Sequence, residues 1–312
     1  MKALITGGAG FIGSHLTKYL VNKGYEVIVL DNLLRGNKIE PEVFQKIRFV
    51  DGDVKDADLV YEISKGCHYI YHLAAILGVD IVADNPVETM DTEIIGTRNV
   101  VNAALKNNIK KVIYASTSGV YGHSAIEKSV DENIMIDPRT SYAMAKRYNE
   151  IYLKAVYEEK GLESVSLRYF NVYGARQDVR MVIPRFFSQA LKGEPITVFG
   201  SGKQTRDFTS VEETIEATVR LGEMAKGAEV FNVANGTELT IYELGKYIKE
   251  LTESSSDVKL IESPKKRYDY EVERRVGSSD KLHTVTNFRP DTDIKSGLSK
   301  LYEDCYKEAL VK

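Results

Sequence analysis

The chain has 312 residues, enough for one large domain or two modest ones with a buried core that needs no disulfides or metals. Hydrophobic residues make up 43% and charged residues 28%, which excludes wholesale disorder, and no apolar run reaches the about 18 residues of a membrane span. The formal net charge of -3 gives no general attraction for nucleic acid, so an anionic ligand would need a local cluster of cations.

The cysteines and the N-terminus bear on the cellular compartment. Cys67 and Cys305 are too few to predict a disulfide framework or a metal site, so a reducing cytoplasm is the simplest expectation. The first residues predict a strand and not a signal peptide, so neither export nor membrane attachment is expected.

The first two thirds of the chain alternate short β-branched runs with longer helical stretches. The predicted strands are Lys2–Thr6, Glu26–Asp31, Ile47–Asp51, His68–Leu73, Lys111–Ser116 and Ser164–Tyr169. Their continuous apolar runs suit strands covered on both faces, and the alternation with helices is typical of right-handed crossovers. The fold class expected is therefore α/β, with a Rossmann-type doubly wound parallel sheet.

After Tyr169 the pattern loosens. Loops are expected where proline and glycine recur, at Pro184, Gly193, Pro195, Gly200 and Gly202. Helices are expected again at Val211–Met224 and Thr240–Leu251. We therefore expect a cofactor domain at residues 1–170, joined by part of 205–235, and a smaller α/β C-terminal lobe for substrate in residues 171–312. The segment Val230–Val233 is a candidate to rejoin the main sheet.

A glycine-rich loop, Thr6–Gly13, follows the first strand and opens a helix. Gly7 and Gly10 leave room for a tight turn and a pyrophosphate, Gly13 lets helix and sheet approach, and the helix N-terminus favours an anion. Asp31 ends the second strand about 20 residues later, where a carboxylate accepts hydrogen bonds from ribose hydroxyls and repels a 2'-phosphate. The loop therefore predicts a dinucleotide site that prefers NAD to NADP, a preference that Arg35 and Lys38 could weaken.

Tyr142 and Lys146 stand four residues apart, which places both side chains on one face of a helix. The same spacing occurs at Tyr19/Lys23, Tyr61/Lys65 and Tyr242/Lys246, so spacing alone does not select a pair. Only the Tyr142 pair follows a strand that ends in hydroxyls, Ser116–Ser118, at the carboxyl edge where ligands of open α/β sheets bind. The context favours Tyr142 and Lys146 as the reactive pair.

These motifs resemble the extended short-chain dehydrogenase/reductase family, and within it the nucleotide-sugar epimerases and dehydratases such as UDP-glucose 4-epimerase. The matching segments are Thr6–Gly13, Asp31–Asn32, His72–Ala75, Gly96–Thr97, Ser116–Gly122, Tyr142 with Lys146, Arg168–Asn171 and Val198–Asp207. The resemblance implies that NAD contacts Gly7, Gly10, Phe11, Ile12, Gly13, Asp31, Asn32, Asp53, Val54, Leu73, Ala74, Ala75, Tyr142, Lys146 and Tyr169. For Asp53, a bare turn is a nearly equal alternative to a contact with the adenine edge.

The resemblance also implies the catalytic roles. Tyr142 would act as general base toward a sugar hydroxyl, and Thr117 would bond the reacting oxygen. A free tyrosine has a pKa of about 10, so the Lys146 cation is expected to stabilise the phenolate and to hold the nicotinamide ribose. Ser118 is either a second hydroxyl at the substrate or simply the end of the strand.

The residue after Ser118 discriminates between reactions. Related 4,6-dehydratases usually carry Asp-Glu after the Thr and glucuronate decarboxylases carry Ser-Glu, but this chain has Gly119 at the glutamate position. The site is expected to oxidise and reduce a carbinol without the usual acid/base for elimination, so the leading hypothesis is a 4-epimerase. A decarboxylase, dehydratase or ketosugar reductase is the first alternative, and a non-catalytic NAD-binding sensor is the second.

The substrate expected is a nucleoside diphosphate sugar, such as a UDP-sugar of the glucose, N-acetylglucosamine or glucuronate type. Arg206 and Asn171 match family residues that contact the diphosphate or sugar. A second cation is expected from Arg267 or Arg274, although the charges of residues 265–275 equally suit a solvated loop. The resemblance further implies a homodimer that pairs the helix after Pro86 with the helix of Tyr142.

One position departs from the family pattern. Many relatives have Asn three residues before Gly96-Thr97, where this chain has Glu93. The substitution is expected to remove an amide contact near the cofactor and the Tyr142 helix. The loop of residues 76–80 is also apolar, which leaves open a substrate with an N-acetyl or other altered group.

Overall fold

The computed structural model describes residues 1–76, 78–125, 129–263 and 272–307. The strands are β1 Lys2–Thr6, β2 Glu26–Asp31, β3 Arg48–Asp51, β4 Tyr69–His72, β5 Lys111–Thr117, β6 Glu163–Tyr169, β7 Asn171–Tyr173, β8 Ile196–Phe199, β9 Thr205–Arg206, β10 Phe208–Ser210, β11 Ala228–Val233, β12 Leu239–Thr240, β13 Val258–Ile261 and β14 Arg274–Arg275. The helices are α1 Phe11–Asn22, α2 Pro41–Phe44, α3 Ala57–Ile63, α4 Val79–Asp84, α5 Pro86–Lys106, α6 Ser141–Lys160, α7 Val182–Leu191, α8 Val211–Met224, α9 Ile241–Leu251, α10 Asp280–Thr286 and α11 Ile294–Cys305, with a 3-10 helix at Ser118–Ala125.

Seven parallel strands form the main sheet in the order β11-β6-β5-β4-β1-β2-β3. One face packs against α1, α8 and α10, and the other against α3, α5 and α6, so the strands are buried on both sides. The strand order reverses between β1 and β4, and the carboxyl ends beside such a switch point form the ligand crevice of open α/β sheets. The Rossmann-type fold expected from the sequence is confirmed.

All six strands expected from the sequence are present, and their ends differ by at most one residue. Of the strands after β6, the sequence predicted only β11. This strand contains Val230–Val233 and forms the sheet edge beside β6. The prediction of a loop around Pro184 is wrong, because this proline lies in the first turn of α7. The first turn of a helix tolerates proline because its N–H groups have no partners inside the helix.

A second hydrophobic core lies outside the main sheet. It joins α7, α9 and α11 to the parallel pair β8 and β13, with Phe186, Leu244 and Leu298 fully buried at its centre. A small sheet in the order β12-β9-β14 lies beside this core. Among the described residues, no helix combines the length and the apolar character that crossing a membrane would require.

Candidate active site

The glycine loop between β1 and α1 is shaped by backbone contacts that exclude side chains. Gly7 has φ +72°, and a Cβ there would lie 2.6 Å from the Ala74 nitrogen. A Cβ on Gly13 would lie 2.1 Å from the Gly7 carbonyl oxygen. Gly10 is the residue before α1 and caps no N–H group of the helix with a side chain, which leaves the first turn open to an anion. This cradle fits a dinucleotide pyrophosphate.

Asp31 connects the glycine loop to the end of β2. Its Oδ2 accepts a hydrogen bond from Ala9 N at 2.9 Å, and its Oδ1 accepts one from Leu33 N at 2.8 Å. Burial raises the pKa of the Asp31 carboxyl, and the backbone donors oppose that rise. The carboxylate therefore holds the loop in shape at the place where the sequence predicts an adenosine ribose.

The other residues predicted to contact the cofactor divide into two groups. Phe11 and Ile12 begin α1, Asn32 follows β2, and Leu73, Ala74 and Ala75 follow β4, so these residues border the crevice. Asp53, Val54 and Tyr169 have contacts within the protein. Asp53 accepts a hydrogen bond from Lys55 N in a turn, Val54 is buried against Gly96, and the buried Tyr169 hydroxyl pairs with Thr218 of α8 at 2.8 Å.

Thr117 and Tyr142 are placed at the carboxyl edge by the ends of their elements. Thr117 ends β5, and its Oγ1 accepts a hydrogen bond from Gly119 N at 3.0 Å. Ser118, the first residue of the 3-10 helix, is buried. Thr140 caps α6 by accepting from Ala143 N at 3.0 Å, which fixes the start of the helix and puts Tyr142 in its first turn.

Lys146 has a partner that the sequence did not predict. Its side chain is 1% exposed, and its Nζ lies 3.0 Å from Glu93 Oε2 and donates to the Ala115 carbonyl oxygen at 2.7 Å. Lys146 is thus ion-paired before any ligand is considered, and its predicted effect on Tyr142 has to act beside the Glu93 carboxylate. Glu93 does more than remove an amide contact, because it supplies a buried carboxylate.

Burial dominates the electrostatics of this cluster. It raises the pKa of Tyr142 well above the ordinary value, and the Glu93 charge raises it further. Burial lowers the pKa of Lys146, while Glu93 opposes that change. His72, fully buried between Thr6 and Thr97, has its pKa lowered to about 3, so its imidazole is neutral at physiological pH.

Two arginines are neighbours in the small sheet, in the part of the chain predicted to bind substrate. Arg206 of β9 and Arg275 of β14 are paired neighbours in the small sheet, and burial together with the Arg206 charge lowers the pKa of Arg275 to about 9. Two adjacent cations in a shielded place favour an anionic ligand. Arg274, by contrast, has its Nε 2.8 Å from Glu238 Oε2, and Arg267 lies outside the described residues.

Sequence reasoning missed Arg275 because it could not tell which of two adjacent arginines faces Arg206. Successive residues of a strand point to opposite sides, so only one of them can do so. The strand β14 is two residues long and carries no pattern that would reveal its pairing. The short strand β9 explains the position of Arg206, and Asn171 begins β7, whose partner β10 follows β9 directly.

Asp207 connects the segments around these arginines. It is fully buried and accepts hydrogen bonds from Asn235 N at 2.9 Å, Gly236 N at 2.9 Å and Gly277 N at 3.2 Å. Burial raises the pKa of its carboxyl to about 6.

A cleft of about 360 Å³ is lined by residues of the segment before Asp207 and by Glu273. The lining residues are Phe199, Gly200, Ser201, Lys203, Gln204 and Glu273.

Comparison with known proteins agrees with this arrangement. Residues 3–234 match the model of the NAD dependent epimerase/dehydratase family. The chain is 38% identical to UDP-N-acetyl-alpha-D-glucosaminuronate decarboxylase of Bacillus cytotoxicus and 34% identical to a putative UDP-glucose 4-epimerase of Methanocaldococcus jannaschii, each over 96% of both chains. Among solved structures, UDP-glucose 4-epimerase of Thermotoga maritima with UDP-glucose superposes with a TM-score of 0.92 at 31% identity, over 100% of both chains.

This chain belongs to the NAD-dependent epimerase/dehydratase family. Its cofactor is NAD, and the glycine cradle and Asp31 fit that cofactor. The family modifies sugars carried on nucleoside diphosphates, and its members here include both epimerases and decarboxylases.

Proposed function

We propose that this protein is an NAD-dependent 4-epimerase of UDP-sugars. The observation that carries the proposal is Gly119. A Cβ at residue 119 would lie 3.2 Å from Thr117 Oγ1, so a side chain there would start beside the hydroxyl predicted to bind the reacting oxygen. By the family resemblance, dehydratases and decarboxylases usually carry a glutamate at this position, whereas this chain has no side chain there.

The residues that remain suffice for reversible oxidation of one carbinol. Tyr142 would take the proton from the C4 hydroxyl and later return it, while Thr117 bonds the C4 oxygen. NAD, when bound, supplies the hydride acceptor and donor. An epimerase needs in addition that the 4-ketosugar turns over while its diphosphate stays fixed, and the neighbouring Arg206 and Arg275 would serve as that anchor.

The part of residues 171–312 outside α8, β11 and α10 would then supply most of the substrate contacts. Arg206, Arg275 and Asn171 all come from this part of the chain. The Thermotoga maritima relative was solved with UDP-glucose, which supports UDP as the nucleotide. The proposal covers the glucose/galactose pair and its N-acetyl and uronate analogues.

A substrate panel tests the reaction. The enzyme is incubated with UDP-glucose, UDP-N-acetylglucosamine and the corresponding uronates, with no added reductant, and the products are followed by proton NMR. We expect one pair of C4 stereoisomers to interconvert without loss of water or CO2. A pentose product from a uronate, with CO2 released, would overturn the epimerase proposal.

Decarboxylation is the second candidate because of the Bacillus cytotoxicus relative. That protein is 38% identical over nearly the whole chain and is a UDP-N-acetyl-alpha-D-glucosaminuronate decarboxylase. A decarboxylase of this family would also oxidise C4 first, so the Tyr142 site serves either outcome. The uronate arm of the substrate panel distinguishes the two reactions directly.

We also propose a homodimer formed by α5 and α6. Apolar side chains are exposed in a row on α6, where Met144, Tyr148 and Ile151 are 49%, 45% and 54% exposed. Val87 and Ile95 are exposed on the adjacent α5. Analytical ultracentrifugation should give a dimer for the native chain and a monomer for Ile151→Lys, and a monomeric native chain would contradict the proposal.

A further inference from the structure

Glu93 occupies the centre of a buried polar cluster between α5, α6 and β5. Its side chain is fully buried, and Oε2 lies 3.0 Å from Lys146 Nζ and accepts a hydrogen bond from Tyr114 at 3.1 Å. Asn149 holds the same residue from α6 by donating to the Glu93 carbonyl oxygen at 2.9 Å. The carboxylate is therefore held firmly against a single cation.

Packing alone is a poor explanation for this pair. A buried ion pair gains little net stability over apolar side chains of similar volume, because both ions lose their hydration. Moreover, Glu93 Oε1 is buried and accepts no hydrogen bond from the described part of the chain. Buried polar atoms are usually satisfied, so an unsatisfied oxygen beside the predicted reactive pair suggests a functional role.

The consequence lies in the net charge beside Tyr142. Lys146 Nζ is 5.4 Å from the centre of the Tyr142 ring, close enough for its cation to stabilise a phenolate. Burial raises the pKa of the Glu93 carboxyl, and the Lys146 charge and the Tyr114 hydrogen bond oppose that rise. With Glu93 ionised at 3.0 Å from the same nitrogen, the pair is neutral overall and its effect on Tyr142 is much weaker.

In the part of the chain that the structure describes, no other group that faces the pair supplies a positive charge to Tyr142 in place of Lys146. The groups that face the pair are Tyr114 on β5, His72 on β4 and Tyr142 and Glu150 on α6. Burial keeps His72 neutral by lowering its pKa to about 3. Glu150 is bound at 2.8 Å by Arg168 and at 3.0 Å by Arg147, so its charge is compensated.

We propose that Glu93 is a positioning residue that holds the Lys146 ammonium in place and cancels most of its charge at the reaction site. The proposal rests on the role proposed for Tyr142, but it does not depend on which sugar is the substrate or on whether the reaction is epimerisation or decarboxylation. It makes two predictions for Glu93→Gln, a change that keeps the shape of the side chain and removes its charge.

The first prediction concerns the pH profile of kcat. In Glu93→Gln the Lys146 ammonium still donates to the Ala115 carbonyl oxygen at 2.7 Å; while it keeps its proton its charge is no longer cancelled, so the Tyr142 phenolate is stabilised and the acid limb should move to lower pH by about one unit. Glu93→Asp retains the charge and should restore the limb to within a few tenths of a unit. A limb that stays in place or moves upward in Glu93→Gln overturns the proposal.

The second prediction requires no turnover. The uncompensated cation in Glu93→Gln would disfavour the positively charged ring of NAD+ but not the neutral ring of NADH. The ratio of the Kd for NAD+ to the Kd for NADH, measured by calorimetry, should rise about tenfold, and it should return in Glu93→Asp. An unchanged ratio overturns the proposal even if the substrate assignment is correct, so the two failures are distinguishable.

Glu163→Gln is the matched control. It removes the carboxylate 3.5 Å from another fully buried lysine, Lys111, which begins β5 at the opposite end from Thr117. A general loss of stability would affect both glutamine variants. We expect the pH limb and the Kd ratio to change in Glu93→Gln alone.

Discussion

The glycine loop and the Lys146 cluster lie at the same carboxyl edge of the sheet, but different forces hold them. In the loop, a Cβ on Gly7 would strike the backbone of Ala74, and a Cβ on Gly13 would strike the backbone of Gly7 in the same loop. In the cluster, the geometry depends on charge, with Lys146 fixed by a carboxylate that lies 53 residues earlier in the chain. A region held by shape tolerates almost no added atom, whereas a region held by charge tolerates changes of shape better than changes of ionisation.

We expect the largest loss of activity when the predicted general base is removed and the cofactor loop is left unchanged. Tyr142→Phe removes the predicted general base and leaves the glycine loop intact, so we expect kcat to fall about 10³-fold. NAD content, measured by absorbance and chromatography after purification, should stay at the native level. Native turnover in this variant would place the reaction elsewhere in the chain.

A substitution in the glycine loop should instead weaken NAD binding and leave the reactive residues unchanged. A methyl group on Gly13 would lie 2.1 Å from the Gly7 carbonyl oxygen, so Gly13→Ala must displace the loop that receives the pyrophosphate. We expect NAD affinity, measured by calorimetry, to fall at least about tenfold, with a loss of stability of about 2 to 3 kcal/mol.

Gly245→Ala is the control for this substitution. Gly245 lies within α9, where a Cβ would meet its nearest neighbours at an ordinary 3.4 Å. Alanine is the better helix former, so this variant should be as stable as the native chain or slightly more so, with native NAD affinity. Equal losses of affinity in both variants would show that the shape argument for Gly13 is mistaken.

Titration of Asp207, which connects the segments around Arg206 and Arg275, should change the stability of the protein. The pKa of Asp207 is raised to about 6 in the folded protein, above the about 3.9 expected when unfolded. The folded state therefore binds this proton more tightly, and the stability that the protonated group contributes is lost as pH rises from about 4 to about 6. Relative to Asp207→Asn, the free energy of unfolding should fall by about 2 kcal/mol across this window.

Urea denaturation of both proteins at several pH values tests this slope. The other titrating groups are common to the two proteins and cancel in the difference between them. A difference that stays constant from pH 4 to pH 6 would mean that the Asp207 carboxyl titrates in the folded state as it does in the unfolded chain.

The same contrast explains how much the sequence could predict. The sheet, the glycine loop and the positions of Thr117 and Tyr142 follow from local patterns, because strand periodicity, glycine and helix caps act over a few residues. The partner of Lys146 did not follow, since nothing local in Glu93 indicates which cation it meets. Arg275 was missed for a similar reason, because its position depends on the pairing of a two-residue strand with β9.

Residue 119 lies where a change of shape would act directly on the predicted reactive hydroxyl. Gly119→Ala would place a methyl group 3.2 Å from Thr117 Oγ1 and 3.4 Å from Thr117 Cγ2, close enough to turn the hydroxyl but not to disturb the main chain. We expect kcat to fall several-fold, with NAD affinity and thermal stability near native. A loss of stability comparable with that of Gly13→Ala would instead mean that residue 119, like the glycine loop, is glycine for reasons of folding. The lack of a carboxylate there would then say little about the reaction.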